Sequence, residues 1–293
     1  MSIGVSGYSQ LKQEHFSGIV DYISSVAYRD ICRRSEGGWL DHRYWIFDMN
    51  AARPFYPIED QKLYGPHLPS SSIIGPRVAA DNGNTVRAVL MEIDQDNARE
   101  LTLYYFGKKE EGSPLSNGCI HAEIHCGDSS ELLLLNAQST YRERHGYIYV
   151  DPNTPSLPDS LTEFFRYPCN QKIDLIINIA ATSLKRKGER LDQLIAGVQT
   201  YKSKWLVREP HAQHQWTMLI GTNWANLNAW EKKGFHLLDS KIGTEVFNQL
   251  SKTRQELIEE KAKEELDLVL PTTNTENIVI RRNNGSNRVE RQG

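Results

Sequence analysis

The sequence predicts an α/β fold with a mainly parallel sheet and an antiparallel hairpin at one edge. Apolar β-type runs alternate with segments that can be helical, and this order is typical of parallel sheets. The runs lie at residues 44–47, 86–91, 120–124, 147–150 and 172–179, and helix-compatible segments lie at 97–106, 129–135 and 160–167. Two later runs, 204–210 and 214–224, are joined by a short polar loop, which predicts the hairpin. Acidic residues repeatedly follow the strand ends.

The chain divides into four segments by composition and pattern. We expect an N-terminal helical segment at 1–40, an α/β domain at 41–250, a C-terminal helix at 251–270 and a flexible tail at 271–293. Residues 54–85 are rich in proline, serine and glycine without clear periodicity. A loop of that length inside a domain is either functional or evidence against the assignment, and the functional interpretation is a lid.

Composition places the chain among ordinary globular proteins. It has 293 residues, 39% of them hydrophobic and 24% charged. We expect a cytoplasmic protein without a membrane span or secretion signal, because no long apolar run or leader is present. The four cysteines form no C-x-x-C pair, which favours reduced thiols. The net charge of −3 excludes a global basic surface, so any nucleic-acid contact must be local.

One strand ends abruptly at an acid and a proline. The run at 147–150 is followed by Asp151 and Pro152, and proline cannot continue the hydrogen-bond ladder. We expect the strand to deliver Asp151 to the carboxyl edge of the sheet, where ligands bind in open α/β folds. The alternative is an ordinary strand-to-turn junction, because Asp-Pro is also common turn chemistry.

The earlier strands also end in polar residues. Asp48 closes the first run and is followed by Asn50 and Ala51, while Glu92 and Asp128 follow the second and third runs. A carboxylate at the end of the second strand is placed to accept hydrogen bonds from ribose hydroxyls, which favours Glu92 for that contact.

These motifs together resemble a class I S-adenosylmethionine-dependent methyltransferase with a Rossmann-like sheet, over about residues 40–185. The segment Asp-Pro-Asn-Thr at 151–154 resembles the Asp-Pro-Pro-aromatic motif of adenine or cytosine amino methyltransferases. The segment Phe-Asp-Met-Asn-Ala-Ala-Arg-Pro at 47–54 also resembles the three-Cys-motif partner proteins, a phage- and defence-associated group.

The resemblance implies a set of site residues. The cofactor S-adenosylmethionine would be bound by Asp48, Asn50, Ala51, Glu92 and Asp128. Asp48 would bind its charged amino-acid part and Asp128 its adenine amino group. The catalytic residues would be Asp151, Pro152 and Asn153, with Asp151 and the Pro152 carbonyl accepting hydrogen bonds from the substrate amine.

The chain departs from the family pattern at two places. Alanines 51 and 52 and Arg53 stand where the family's first loop carries glycines, and Asn153 and Thr154 stand where it has a second proline and an aromatic. Either another aromatic side chain stacks on the substrate base, or none does.

The region 204–224 offers such groups. We expect Trp216 and Asn223 to bind the base by stacking and hydrogen bonding, while Lys185, Arg186 and Arg208 bind phosphates. Taken singly, each tryptophan also fits a core or interface position, and each basic residue fits a solvated surface.

The resemblance predicts methyl transfer to an exocyclic nucleobase amine, with adenine N6 in DNA as the leading substrate and no metal. One alternative is an inactive methyltransferase-fold module that binds nucleic acid or a protein partner. Another is a metal-dependent nuclease using the four strand-end acids, although acids spread along a groove do not favour a two-metal cluster about 4 Å across.

A zinc site of Cys119, His121, His125 and Cys126 is disfavoured, because one strand does not supply tetrahedral ligands.

Overall fold

The computed structural model describes residues 7–34, 40–57, 67–107, 119–152, 157–180, 184, 190–210, 216–225 and 230–269. The chain forms two compact units, residues 1–254 and 255–293. The described part of the second unit belongs to one helix, α8 (Arg254–Val269). The predicted tail at 271–293 lies outside the described residues.

The first unit is built around one eight-stranded sheet. Its strands are β1 (Leu40–Asp48), β4 (Thr85–Glu92), β5 (Ile120–Cys126), β6 (Glu143–Val150), β7 (Ile173–Ala180), β8 (Lys204–Arg208), β9 (Trp216–Thr222) and β10 (Phe235–Leu237). Strands β2 (Phe55–Pro57) and β3 (His67–Pro69) form a separate antiparallel pair.

The strand order is β10-β8-β9-β7-β6-β1-β4-β5. All pairings from β7 through β5 are parallel, whereas β9 runs antiparallel to both β7 and β8. This confirms the predicted parallel sheet with an antiparallel hairpin, to which the structure adds the unpredicted edge strand β10. After β1 the chain forms β4 and β5 on one side of β1. It then forms β6 and β7 on the other side. The carboxyl ends of β1 and β6 therefore flank a topological switch point, where open α/β sheets bind ligands.

Helices cover both faces of the sheet. They are α1 (Gly7–Arg34), α2 (Ser71–Asp81), α3 (Gln95–Phe106), α4 (Ser129–Leu135), α5 (Asp159–Arg166), α6 (Leu191–Ile195) and α7 (Lys241–Ser251). Helices α1 to α3 pack on one face and α4 to α7 on the other. Along β1, Tyr44 and Ile46 face the α1 side while Trp45 and Phe47 face the opposite side. Burial on both faces explains why the central strands read as continuous apolar runs.

Helix α1 packs against the sheet through an apolar stripe. Its buried side chains are Phe16, Ile19, Val20, Ile23 and Ala27, at the three- and four-residue spacing of one helical face. The stripe contacts α2, β1 and β6, so α1 crosses the sheet face next to the switch point.

The segment 54–85 is not an irregular loop throughout. Residues 58–66 lie outside the described part, but helix α2 occupies Ser71–Asp81. Gly75 and Pro76 are both buried within this helix and hide its periodicity in the sequence. A Cβ on Gly75 would lie 1.9 Å from Tyr147 Oη, so glycine allows α2 to lie directly on β6.

Two helices follow β10 in the described part of the chain. Helices α7 and α8 are separate elements, interrupted at Lys252 and Thr253. No helix among the described residues is long and apolar enough to cross a membrane.

Candidate functional site

The loop after β1 is tied to both neighbouring strands. Asn50 Oδ1 accepts a hydrogen bond from the Asp151 backbone N–H at 2.9 Å. The Met49 N–H donates to the carbonyl of Tyr149, and the Ala51 N–H donates to that of Met91, each at 3.1 Å. The structure therefore brings Asn50, Ala51 and Asp151 together at the switch point.

Asp48 lies beneath this loop and is 1% exposed. The Ser71 hydroxyl donates to its Oδ2 at 2.7 Å, and the Asn50 N–H donates to its Oδ1 at 3.1 Å. Burial raises the pKa of Asp48 to about 7, and the nearby charges of Asp151 and Glu92 act in the same direction. Asp48 thus joins the start of α2 to the loop, which is a positioning role.

Ala52 adopts a backbone conformation that favours glycine. Its φ is +54°, in the left-handed region that residues other than glycine seldom occupy. The family's glycines are absent from this loop, but the backbone still makes a glycine-like turn at Ala52.

Glu92 and Asp128 stand at the ends of the next two strands. Glu92 is nearly buried, and its Oε1 accepts from the Asp94 N–H at 2.8 Å. The N–H of Gly127 donates to the Glu92 carbonyl at 3.0 Å, which brings the loop carrying Asp128 close to Glu92. Asp128 itself caps α4 by accepting from the Ser130 N–H at 2.7 Å.

Both carboxylate oxygens of Asp151 have protein partners. Lys12 Nζ of α1 lies 2.5 Å from Oδ2, and Asn178 Nδ2 of β7 donates to Oδ1 at 2.7 Å. Sequence reasoning identified neither partner. Asn178 gave a signal, since it is a polar residue within the apolar run of β7, whereas Lys12 gave none. Pro152 follows Asp151, and Asn153 lies outside the described residues.

Arg208 and Trp216 lie at the same edge of the sheet. Arg208 ends β8, and Trp216 begins β9 opposite Ala180 at the end of β7. The Arg208 guanidinium carbon lies 5.4 Å from the centre of the Trp216 ring, and Arg208 Nη2 lies 3.2 Å from His15 Nε2. His15 also meets the Trp216 ring edge-on, with the ring centres 5.7 Å apart. Trp216 is 7% exposed, so in this conformation its ring stacks on Arg208 rather than on a ligand.

The other predicted substrate residues are not brought to this edge. Asn223 follows the far end of β9, where its Nδ2 donates to the carbonyls of Gln171 and Tyr201. The structure therefore separates Asn223 from Asp151, because antiparallel β9 begins at the carboxyl edge and ends at the opposite one. Lys185 and Arg186 lie outside the described residues.

The candidate metal ligands that converge in the described residues are not the ones considered from the sequence. Within the described residues, three candidate ligand atoms converge within 4.8 Å only at Asp30, Glu143 and His145. Arg34 already pairs with Glu143 at 2.5 Å and with Asp30 at 3.1 Å, which offsets part of the negative charge of this cluster. The acids at 48, 92, 128 and 151 do not form such a group, and neither do the cysteines and histidines at 119–126.

This chain is similar to known proteins in structure but not detectably in sequence. No protein-family model matches the sequence, and no curated protein matches it. Among solved structures, protein LPL1258 from Legionella pneumophila is 13% identical, with a TM-score of 0.42, covering 81% of this chain and 95% of that one. A SAM-dependent methyltransferase, NGO1261, from Neisseria gonorrhoeae is 12% identical, with a TM-score of 0.30 and coverage of 70% and 74%.

A third similar structure is Trm1 from Pyrococcus horikoshii in complex with S-adenosyl-L-methionine. It is 10% identical, with a TM-score of 0.39, covering 88% of this chain and 77% of that one. The sheet of this chain has the predicted Rossmann-like arrangement, mainly parallel with an antiparallel hairpin at one edge. The likeness concerns the fold. The phage and defence association stays a prediction.

Proposed function

We propose that this protein is an S-adenosylmethionine-dependent methyltransferase acting on an exocyclic amine of a nucleobase, with adenine N6 in DNA as the leading substrate. The observation that supports this most is the hydrogen bond between Asn50 Oδ1 and the Asp151 N–H. It joins the loop on the cofactor side to the acid on the substrate side within one crevice, as group transfer between two ligands requires.

The residues on the β1–β4 side fit the proposed cofactor. Ala52 supplies the left-handed turn that lets a backbone approach a ligand, and the Glu92 carboxylate offers acceptors for ribose hydroxyls. S-adenosylmethionine supplies an activated methyl group when bound. Asn50, Ala51 and Glu92 would hold it, Asp128 would approach its adenine amino group, and Asp48 would keep the loop in place from below.

Asp151 carries the proposed chemistry on the acceptor side. Its carboxylate would accept a hydrogen bond from the substrate amine, and the Pro152 carbonyl would accept another, which orients the nitrogen lone pair. Positioning and electrostatics then supply most of the rate. The amine must take the place of Lys12 at Oδ2, since Lys12 occupies that oxygen in this structure. Asn153 is the third member of the proposed catalytic set.

The nucleic-acid assignment is part of the same proposal. Lys185, Arg186 and Arg208 would contact phosphates, while the target base leaves its stack, at a cost of a few kcal/mol. Asn223 is left out because it lies at the opposite edge of the sheet.

The test is radiolabelled methyl transfer to genomic DNA, total RNA and mixed protein in parallel, followed by digestion to identify the modified nucleoside. Calorimetry with S-adenosylmethionine accompanies it. We expect cofactor binding and label in N6-methyladenine of DNA. Label confined to protein would reject the nucleobase assignment, and no heat with millimolar cofactor would reject the methyltransferase assignment.

A second candidate is a binding module that has the fold without the activity. The occupation of both Asp151 oxygens by Lys12 and Asn178 favours it. DNA binding that is retained in a protein without measurable cofactor binding would support this module.

A further inference from the structure

Four of the buried polar atoms that lack a hydrogen-bond partner lie on three neighbouring strands of the sheet. Within the described residues, the buried atoms Asn178 Oδ1, Trp216 Nε1, and Arg208 Nε and Nη1 have no hydrogen-bond partner. These residues lie on β7, β9 and β8, which are neighbours in the sheet. Because side chains alternate along a strand, they share the α1 side with Ile176, Met218 and Leu206. Buried polar groups are normally paired, so such a group of atoms favours a ligand that pairs with them.

The orientation of Asn178 follows from its neighbour. A carboxylate only accepts hydrogen bonds, so the amide nitrogen of Asn178 must face Asp151, 2.7 Å away. The amide oxygen then faces away from Asp151 as a free acceptor, in a side chain that is 6% exposed. It is placed to receive an N–H from a ligand that also reaches Asp151.

Arg208 is a half-buried cation without a carboxylate partner in the described part of the chain. A guanidinium only donates, so His15 accepts from it through Nε2 and brings no negative charge. Glu209, the next residue, pairs with His236 at 2.8 Å instead. The charge of Glu209 therefore compensates the partly buried guanidinium only in part, and an anionic ligand that pairs with Arg208 lowers the remaining cost of burial.

We propose that Asn178, Trp216 and Arg208 form the binding site for the methyl acceptor, and that the acceptor is a nucleotide whose phosphate is bound by Arg208. The inference rests on the proposed function and extends it. Asn178 Oδ1 shares with Asp151 one N–H of the exocyclic amine, so that the second N–H remains for the Pro152 carbonyl. Trp216 Nε1 donates to an acceptor atom of the base, such as the ring nitrogen beside the amine. An amine next to a ring nitrogen is the donor and acceptor pattern that adenine and cytosine present.

The test is calorimetric titration of the full-length protein with adenosine 5′-monophosphate, adenosine and inorganic phosphate. The protein is first saturated with S-adenosylhomocysteine, so that the proposed cofactor site is filled. We expect the monophosphate to bind at least about tenfold more tightly than adenosine, because only the monophosphate pairs with Arg208. Arg208→Ala should bring both ligands to the same affinity. Asn178→Ala should weaken both by a similar factor, on the order of five to ten, and leave phosphate binding unchanged.

A matched variant serves as the control. Arg166→Ala removes an exposed arginine on α5, on the other sheet face, and should leave all three affinities unchanged. Monophosphate binding that is seen only in the absence of S-adenosylhomocysteine would place the nucleotide in the cofactor site and overturn the proposal.

If a variant fails to fold, titration of the wild-type protein alone still tests the nucleotide site. Equal affinity for adenosine and its monophosphate, or no binding of either at millimolar concentration, would overturn the nucleotide site. These outcomes leave the methyltransferase assignment standing if S-adenosylmethionine binds, so the two proposals fail separately.

Discussion

Lys12 Nζ lies 2.5 Å from Asp151 Oδ2, which places a residue of the first helix on the acid at the carboxyl end of β6. The two side chains are 25% and 35% exposed. An ion pair with that much solvent contact contributes little to stability, so an incoming amine can replace Lys12 at a small energetic cost. Helix α1 therefore closes the acceptor side of the proposed site through a weak contact.

Lys12→Met should lower the KM for the methyl acceptor a few-fold, because Asp151 Oδ2 no longer has to exchange partners. The free energy of unfolding should change by less than about 1 kcal/mol. Steady-state kinetics and urea unfolding measure the two effects. Lys12→Arg keeps the charge and serves as the control, with a KM near the wild-type value. A raised KM in Lys12→Met would instead show that Lys12 contacts the substrate.

Asp151→Ala should separate chemistry from cofactor binding. Methyl transfer should fall by a factor on the order of 10² or more, since the carboxylate orients the acceptor amine. Affinity for S-adenosylhomocysteine should stay within a few-fold of wild type. The exposed Asp96→Ala on α3 is the matched control and should keep full activity. Wild-type turnover in Asp151→Ala would remove Asp151 from the mechanism.

Glu92→Ala should weaken binding of S-adenosylmethionine about tenfold or more, because lost hydrogen bonds to a bound ribose are worth roughly 1–3 kcal/mol. Isothermal titration measures the affinity. Asp94 caps α3, and the Glu92 carboxylate accepts from its N–H. Glu92→Gln keeps that contact and therefore tests whether the ribose contact needs the charge. Unchanged affinity in both variants would place the ribose elsewhere.

The sequence predicted the sheet well because its central strands are buried on both faces. Burial on both faces requires continuous apolar runs, such as 147–150 and 172–179, and these runs are visible without a structure. Helix α2 was missed because Gly75 and Pro76 interrupt its pattern. They are tolerated because Gly75 lies against Tyr147 and the helix is buried there.

The sequence predicts the site residues that directly follow the ends of strands. Asn50 and Asp151 follow β1 and β6, so adjacency of the two strands brings them together. Lys12 and His15 lie on the polar side of an amphipathic helix, and such positions usually face solvent. Their contacts with Asp151 and Arg208 join residues 139 and 193 positions apart, which no local pattern reveals.

Ala52→Gly should stabilise the loop after β1. The φ of +54° is strained for alanine and free for glycine, although glycine also gives the unfolded chain more freedom. We expect a net gain of up to about 1 kcal/mol in the free energy of unfolding, with unchanged or tighter cofactor binding. Ala52→Val is the matched opposite change and should destabilise, because a β-branched residue tolerates this φ poorly. Equal stability of the two variants would contradict the strained turn.

Asp48 should make stability fall as pH rises from about 4 to about 7. Its pKa is about 7 in the folded protein, while an unfolded aspartate titrates near 3.9. Between these values the folded state keeps a proton that the unfolded state has lost, so deprotonation favours unfolding. The full effect corresponds to roughly 4 kcal/mol. Burial is the main cause of the raised pKa of Asp48. The hydrogen bonds from Ser71 and the Asn50 N–H act in the opposite direction, because they stabilise the charged form.

Asp48→Asn should remove this component, because the amide has a similar shape and does not ionise in this range. Urea unfolding at pH 5 and pH 7.5 measures it, and the difference between the two values should shrink in the variant. Asp174 is also buried with its pKa raised to about 6, so wild type and Asp48→Asn both retain a second contribution of the same sign. Comparing wild type with Asp48→Asn cancels that contribution. The exposed Asp96→Asn should follow wild type at both pH values, and an Asp48→Asn protein that does the same would show that Asp48 is ionised in the fold.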